Sequence, residues 1–353
     1  MYQIWHKNNL VIEVSEDGQV DVIDSRFLPF DLRHRDKVTY VDFLNYMSRR
    51  ISTLQRTYMN QLYKQRRIGR GHVEIINDSA AISPVDLFWI TRPALGHTWE
   101  SLQIKRDESW ATARASLEGV IDPGVMFGEK DDHTSIFSVK GAFPKAILKG
   151  HILKKGSNAE YEVVASAMGE HLGIKTAKAR AGKDGVVECE LFTSERTSLV
   201  HALELLYPFN AETYADVYER AEEFCGQRED LGKDLQRLYI FNYLCSNNDL
   251  HVENFGFMYD TSSFEVVSVA PAFDFNAGFE AWGSLEAYNQ YIFKNLRNYM
   301  NNNQDLINPL EGIKKLLGHR SIKSWLKEEQ VNEIESRAKY LVGLVEMTKI
   351  YQH

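Results

Sequence analysis

An apolar helix that runs into a polar loop and then a β-hairpin constrains this chain more than any other feature of its sequence. Leu238, Ile240, Phe241 and Leu244 mark the helix, and Asn247-Asn248-Asp249-Leu250-His251-Val252-Glu253-Asn254-Phe255-Gly256-Phe257 comes directly after it. Two strand-like runs come next, Phe255 to Tyr259 and Phe264 to Val269, joined by the turn residues Asp260-Thr261-Ser262-Ser263. A hairpin returns the chain to its starting point. Asn254, just before the first strand, and Asp274, just after the second, are therefore predicted to lie close together. A single Asn or Asp in such a place usually serves the turn, because its side chain bonds to nearby backbone. Asp249, Asn254 and Asp274 gathered around one hairpin point instead to chemistry.

The spacing narrows that chemistry. Asn254 lies five positions after Asp249, the separation between the base and the metal-binding Asn of a kinase catalytic loop. Phosphoryl transfer needs a carboxylate to orient the attacking hydroxyl and oxygen ligands to hold Mg²⁺ on the phosphates. Asp249 fits the first role, and Asn254 with Asp274 fits the second. His251 either contacts the backbone of this loop or packs beside it.

The remainder reads as an α+β chain. Leu10 to Val14 and Val20 to Ile23 flank Glu16-Asp17-Gly18, a hairpin signal. Tyr40, Phe43, Leu44, Met47, Ile51, Leu54 and Tyr58 recur at helical spacing. From Ser83 to Gly128 the pattern is irregular and reads as a loop-rich connector. Between Thr134 and Leu153 the chain is strand-like, broken at Gly141-Ala142-Phe143-Pro144. Tyr161, Val164, Ala165, Met168 and Leu172 then mark a helix that Gly173 ends. Val186 to Phe192 reads as a strand, and helices predominate after Leu199.

Composition removes several alternatives. The 353 residues carry a net charge of −8, which opposes a sequence-independent grip on nucleic acid by the whole chain. Nucleic-acid contact is confined to the basic segment Arg49, Arg50, Arg56, Lys64, Arg66, Arg67 and Arg70, which also reads as a solvated helix face. Three isolated cysteines, with no Cys-x-x-Cys pair, fit a reducing compartment. With no signal-like start and no apolar run near membrane-spanning length, the expectation is a cytoplasmic protein with no membrane contact.

Asn-x-Asp-x-His-x-x-Asn-Phe-x-Phe followed by Pro-Ala-Phe-Asp resembles the catalytic and metal motifs of the HipA-like serine/threonine kinases, bacterial enzymes with a PI3/4-kinase-like arrangement. Upstream, Ser138-Val139-Lys140-Gly141-Ala142-Phe143-Pro144-Lys145 is similar to that family's phosphate loop, Ile152-Leu153-Lys154 to the strand carrying its ATP lysine, and Glu190-Leu191-Phe192 to its adenine hinge. The resemblance spans about Phe137 to Asp274. Leu250 stands where the family often has Arg, and Thr193 where an acidic residue is expected.

The resemblance implies a two-lobed kinase-like fold, with a mixed N-terminal lobe containing antiparallel strands and a largely helical C-terminal lobe. Residues 1–128 would form a family-specific N-terminal region, 129–197 the nucleotide-binding lobe, and 198–353 the catalytic lobe. It implies ATP and Mg²⁺ as cofactors. Ser138, Gly141, Lys145, Lys154, Glu162, Glu190 and Phe192 would contact nucleotide, Asp249 and His251 would serve catalysis, and Asn254 and Asp274 would bind metal. Glu160 and Glu162 both remain open as the partner of Lys154. A protein substrate and an antitoxin-like regulator of a toxin–antitoxin module are the implied partners. A catalytically weak nucleotide-binding regulator, or a phosphotransferase with a non-protein substrate, is the alternative.

Overall fold

The N-terminal hairpin signal becomes part of a four-stranded antiparallel sheet in the computed structural model, which describes residues 1–50, 58, 61, 71–102, 110–119, 144–206, 214–247, 249–279 and 290–350. The architecture is α+β, and the chain packs into two units. The first comprises Met1–Gly156, Gly182–Val200 and Tyr259–Glu265; the second comprises Ser157–Ala181, His201–Met258 and Val266–His353.

In the first unit, β1 (Tyr2–His6), β2 (Asn9–Val14), β3 (Val20–Val22) and β4 (Phe88–Thr91) stand in the order β3-β2-β1-β4. The expected hairpin is the β2–β3 pair, with Val14 opposite Val20. Strand β4 corrects the reading of Ser83 to Gly128 as loop-rich connector. All four of its residues are buried, so neither face is polar and the two-residue alternation that reveals a half-buried strand is missing. Helix α1 (Tyr40–Arg50) buries Phe43, Tyr46 and Met47, whereas Tyr40 is exposed and Ile51 and Leu54 lie outside the described residues. Its start is capped: Asp42 Oδ2 accepts from the Thr39 N–H at 2.9 Å, and the Asp42 N–H donates to Thr39 Oγ1 at 3.3 Å.

A second antiparallel sheet in this unit pairs β5 (Lys145–Leu148) with β6 (His151–Lys154), and β6 with β7 (Val187–Glu190). The chain reverses at Lys149 and Gly150, both with positive φ, as a two-residue hairpin turn requires. Ala146, Leu153 and Val186 pack on Ala113 and Leu117 of helix α2 (Trp110–Glu118).

Helices dominate the second unit: α3 (Tyr161–Leu172), α4 (Tyr214–Gly226), α5 (Glu229–Leu244), α6 (Gln290–Asn302) and α7 (Glu328–Ile350). Helix α5 buries Leu231, Leu235, Leu238 and everything from Tyr239 to Leu244. Its rings meet those of neighbouring helices, Tyr239 lying edge-on to Tyr218 at 5.6 Å and tilted on Tyr299 at 5.8 Å. Gly169 sits inside α3, where glycine costs about 1 kcal/mol relative to Ala. A Cβ there would come 2.3 Å from Thr176 Cγ2, so the glycine admits the segment Lys175–Ala177 against the helix. That segment matters because it holds the strand leading to Asp274. No helix among the described residues is long and apolar enough to cross a membrane.

Candidate functional site

The predicted catalytic loop begins at a helix end of defined geometry. Ser246 takes a left-handed φ of 51°, its N–H donates to the Tyr243 carbonyl at 3.1 Å, and the Asn247 N–H reaches the Asn242 carbonyl at 3.0 Å. This is a Schellman ending, with Ser in the place glycine usually takes. It turns the chain sharply out of α5 at the residue where the polar loop starts.

Asn247 is fully buried and anchors the loop to the helix. Its Nδ2 donates to Asn242 Oδ1 at 2.8 Å, and its Oδ1 accepts from the Asp249 N–H at 3.1 Å. Asn242 is in turn bonded to the Leu238 carbonyl at 2.9 Å. Beyond Asp249, Asn254 folds back: its Nδ2 donates to the Asp249 carbonyl at 2.7 Å and to Asp249 Oδ2 at 3.0 Å. The amide nitrogen is thus used within the loop, and the Asn254 Oδ1 remains as an oxygen donor. The Asp249 side chain is 47% exposed, open to an incoming group.

His251 joins the same loop. Its Nδ1 accepts from the Glu253 N–H at 3.1 Å, and its Nε2 lies 3.7 Å from Asp249 Oδ1. Acceptance at Nδ1 fixes the proton of the neutral ring on Nε2, the nitrogen that faces the carboxylate.

Asp274 is positioned by the hairpin and by α3. Strands β8 (Gly256–Asp260) and β9 (Val266–Val269) form the expected hairpin, closed by the Ala270 N–H on the Gly256 carbonyl at 3.0 Å. Ala272 then pairs in parallel with Thr176, through the Ala272 N–H on Lys175 O at 2.9 Å and the Ala177 N–H on Ala272 O at 2.8 Å. Asp274 itself has φ 61°, a left-handed conformation that Asp tolerates better than most residues. The next N–H, of Phe275, donates to Glu162 Oε1 at 3.0 Å. Glu162 is 2% exposed. Glu160, by contrast, is the half-exposed residue preceding α3. Cys245, beside the loop, is wholly buried, and burial pushes its thiol well above the ordinary range, which disfavours the thiolate form.

In the first unit, β5 and β6 set Lys145 directly opposite Lys154. Both are buried, at 7% and 8% exposure. Cross-strand partners share one face of a sheet, here the face opposite the α2 contact. Lys155 points the other way and pairs with Glu118 at 3.0 Å. Glu190 ends β7, opposite His151, and the Leu191 N–H donates to the Gly150 carbonyl at 2.9 Å. Phe192 is half-buried. Thr193 donates to the Pro84 carbonyl at 2.7 Å. Ser138 and Gly141 lie outside the described residues. A cavity of about 550 Å³ in this unit is lined by Trp99, Ile147, Leu191, Thr193 and Ser198 among others, and by none of the predicted site residues.

Of the basic segment, Arg49 pairs with Asp31, and Arg50 is buried with Asp86 at 2.7 Å. Those two charges are engaged internally. The others lie outside the described residues.

The model of the HipA-like C-terminal domain matches residues 137–334. The chain belongs to the HipA-like family. A solved structure of HipA from Shewanella oneidensis MR-1, in complex with HipB and its operator DNA, covers 98% of this HipA-like chain and 97% of its own, with a TM-score of 0.58 at 15% identity. The two therefore share a fold. The Helicobacter pylori proinflammatory kinase CtkA covers 59% of this chain and 95% of its own, with a TM-score of 0.38 and 16% identity. No curated protein matches.

Sequence reasoning missed two contributors to the HipA-like loop. Asn242 left a signal, an amide within the apolar run from Tyr239 to Leu244. Tyr218, whose hydroxyl donates to the Leu250 carbonyl, left none, because its helix is distant in sequence.

Proposed function

We propose that this chain is an ATP- and Mg²⁺-dependent protein kinase, transferring the γ-phosphoryl group of ATP to a Ser or Thr hydroxyl. The observation that carries the reading is the closed loop in which Asn254 bonds both the backbone and the side chain of a half-exposed Asp249. Asp249 orients the attacking hydroxyl and accepts its proton, with the Nε2 side of His251 facing the same carboxylate. Asn254 Oδ1 and the Asp274 carboxylate hold Mg²⁺. One carboxylate and one amide oxygen suit this ion, which keeps waters and takes phosphate oxygens as further ligands.

Residues 129–197 are proposed as the nucleotide-binding lobe and 198–353 as the catalytic lobe. Lys145 and Lys154, facing each other across β5 and β6 on one side of the sheet, are proposed to meet the nucleotide phosphates. Glu190 and Phe192 are proposed to meet the adenine, and Ser138 and Gly141 the phosphates. Glu162 is proposed to serve the site by holding the Asp274 segment through the Phe275 N–H. An antitoxin-like protein is the proposed regulator and the cytoplasm the proposed compartment.

The test is incubation with γ-labelled ATP and mass spectrometry of the products. Asp249→Asn is expected to lower transfer at least ~10²-fold, with ATP binding retained. ATP should stabilise the wild type far more with Mg²⁺ than with EDTA, by about 2.7 kcal/mol at a hundredfold excess over Kd, and Asp274→Asn should erase the difference. Equal stabilisation with and without Mg²⁺ would favour a nucleotide binder without transfer activity.

A further inference from the structure

A base in a loop is only as well placed as the peptide groups on either side of it. On one side of Asp249, its own N–H is tied to the buried Asn247, and through Asn242 to the body of α5. On the other side, the Asp249 carbonyl accepts from Asn254 Nδ2 at 2.7 Å, and the next carbonyl along, that of Leu250, accepts a hydrogen bond from the Tyr218 hydroxyl. Leu250 is 1% exposed and Tyr218 fully buried, so this contact lies away from solvent. The Tyr218 ring is itself immobilised. It stacks on Phe255 at 5.7 Å and on Tyr291 at 6.1 Å, and meets Tyr239 edge-on at 5.6 Å. The hydroxyl is therefore delivered to one place by a rigid aromatic group on α4.

We infer that Tyr218 is a positioning residue: it sets the direction of the Asp249 carboxylate by fixing the Leu250 carbonyl. The inference rests on the kinase reading, in which Asp249 orients the attacking hydroxyl. Without the phenol, a buried carbonyl loses its donor, which is costly enough to make the peptide rotate in search of another. Rotation there moves Asp249, and a displacement near 1 Å can lower turnover about 10²-fold. The nucleotide contacts proposed for Lys145 and Lys154 do not involve this peptide. The effect should thus fall on kcat and spare KM for ATP.

Tyr218→Phe keeps the ring and its stacking and removes only the donor. Turnover is measured as phosphate transferred from γ-labelled ATP to casein and to water, in the wild type, Tyr218→Phe, Asp249→Asn and the double variant. The expected result is a kcat lowered about 10- to 100-fold, KM for ATP changed less than about twofold, and no further loss when Tyr218→Phe is added to Asp249→Asn. Tyr291→Phe, which alters a ring of the same cluster whose hydroxyl faces Glu222, should leave kcat unchanged. Additive losses, or a change confined to KM, would overturn the positioning role. Should the wild type show no turnover, the kinase reading fails, and amide hydrogen exchange decides the local claim. Faster exchange confined to residues 249–254 in Tyr218→Phe supports the pinned carbonyl; unchanged exchange overturns it.

Discussion

His6 makes the stability of the first unit sensitive to mild acid. It lies on β1 at 2% exposure, and neither ring nitrogen has a hydrogen-bond partner. Phe27, Phe88 and Phe264 surround it at 5.2, 4.9 and 5.1 Å. Burial pushes its pKa down from 6.5 to about 4; Lys7 and Arg33 act in the same direction, and Asp86 opposes them. The unfolded chain therefore takes up this proton near 6.5 and the folded chain only near 4. Between those values the unfolded state binds more protons, so stability is full above 6.5 and falls as the pH drops. The complete effect is roughly 3 kcal/mol, of which about 2.5 kcal/mol develops between about pH 7.5 and pH 4.5. Urea unfolding followed by the emission of Trp5, Trp89 and Trp99 should show the midpoint falling by about 1 M across that range. In His6→Phe, which fills the cage with an apolar ring, the midpoint should be nearly level. A wild-type midpoint that does not move, or one that moves equally in His6→Phe, would refute the reasoning.

Arg50 donates to both oxygens of Asp86, at 2.7 and 2.9 Å, and to the carbonyls of Ala81 and Phe88. Arg50→Met should cost about 2–3 kcal/mol in urea unfolding, because it leaves the partly buried Asp86 carboxylate without its counter-charge and two carbonyls without their donor, and adding Asp86→Leu should restore part of the loss. Lys154→Met should weaken ATP binding in a titration more than Lys155→Met does, since Lys155 is engaged with Glu118; the reverse order would place the nucleotide on the other face of β6. Glu162→Gln should raise amide exchange at Phe275 by weakening a charge-assisted bond, while Glu160→Gln leaves it unchanged.

Where the sequence held a short-range signal, it determined the structure. The helix–loop–hairpin around Asp249 and Asn254, the α3 helix with its Gly173 stop, and the β2–β3 hairpin arise from periodicity and turn chemistry, which act over a few residues. Strand β4 has no such signal. Phe88 to Thr91 is buried on both faces by residues far away in the chain, and that burial removes the alternation that marks a half-buried strand. Glu162 is comparable: its spacing in α3 gives a direction, but only the return of Phe275 makes a buried carboxylate acceptable there. The same holds for Lys145 facing Lys154, which depends on the turn at Lys149-Gly150. Tyr218 marks the limit. Its hydroxyl meets Leu250 because two helices and a loop pack together, and a contact across thirty-two residues has no local pattern to announce it. Residue types and their spacing determined which chemistry this chain can carry; the packing of distant segments decided which side chains hold it in place, because burial and hydrogen-bond satisfaction are properties of the assembled interior.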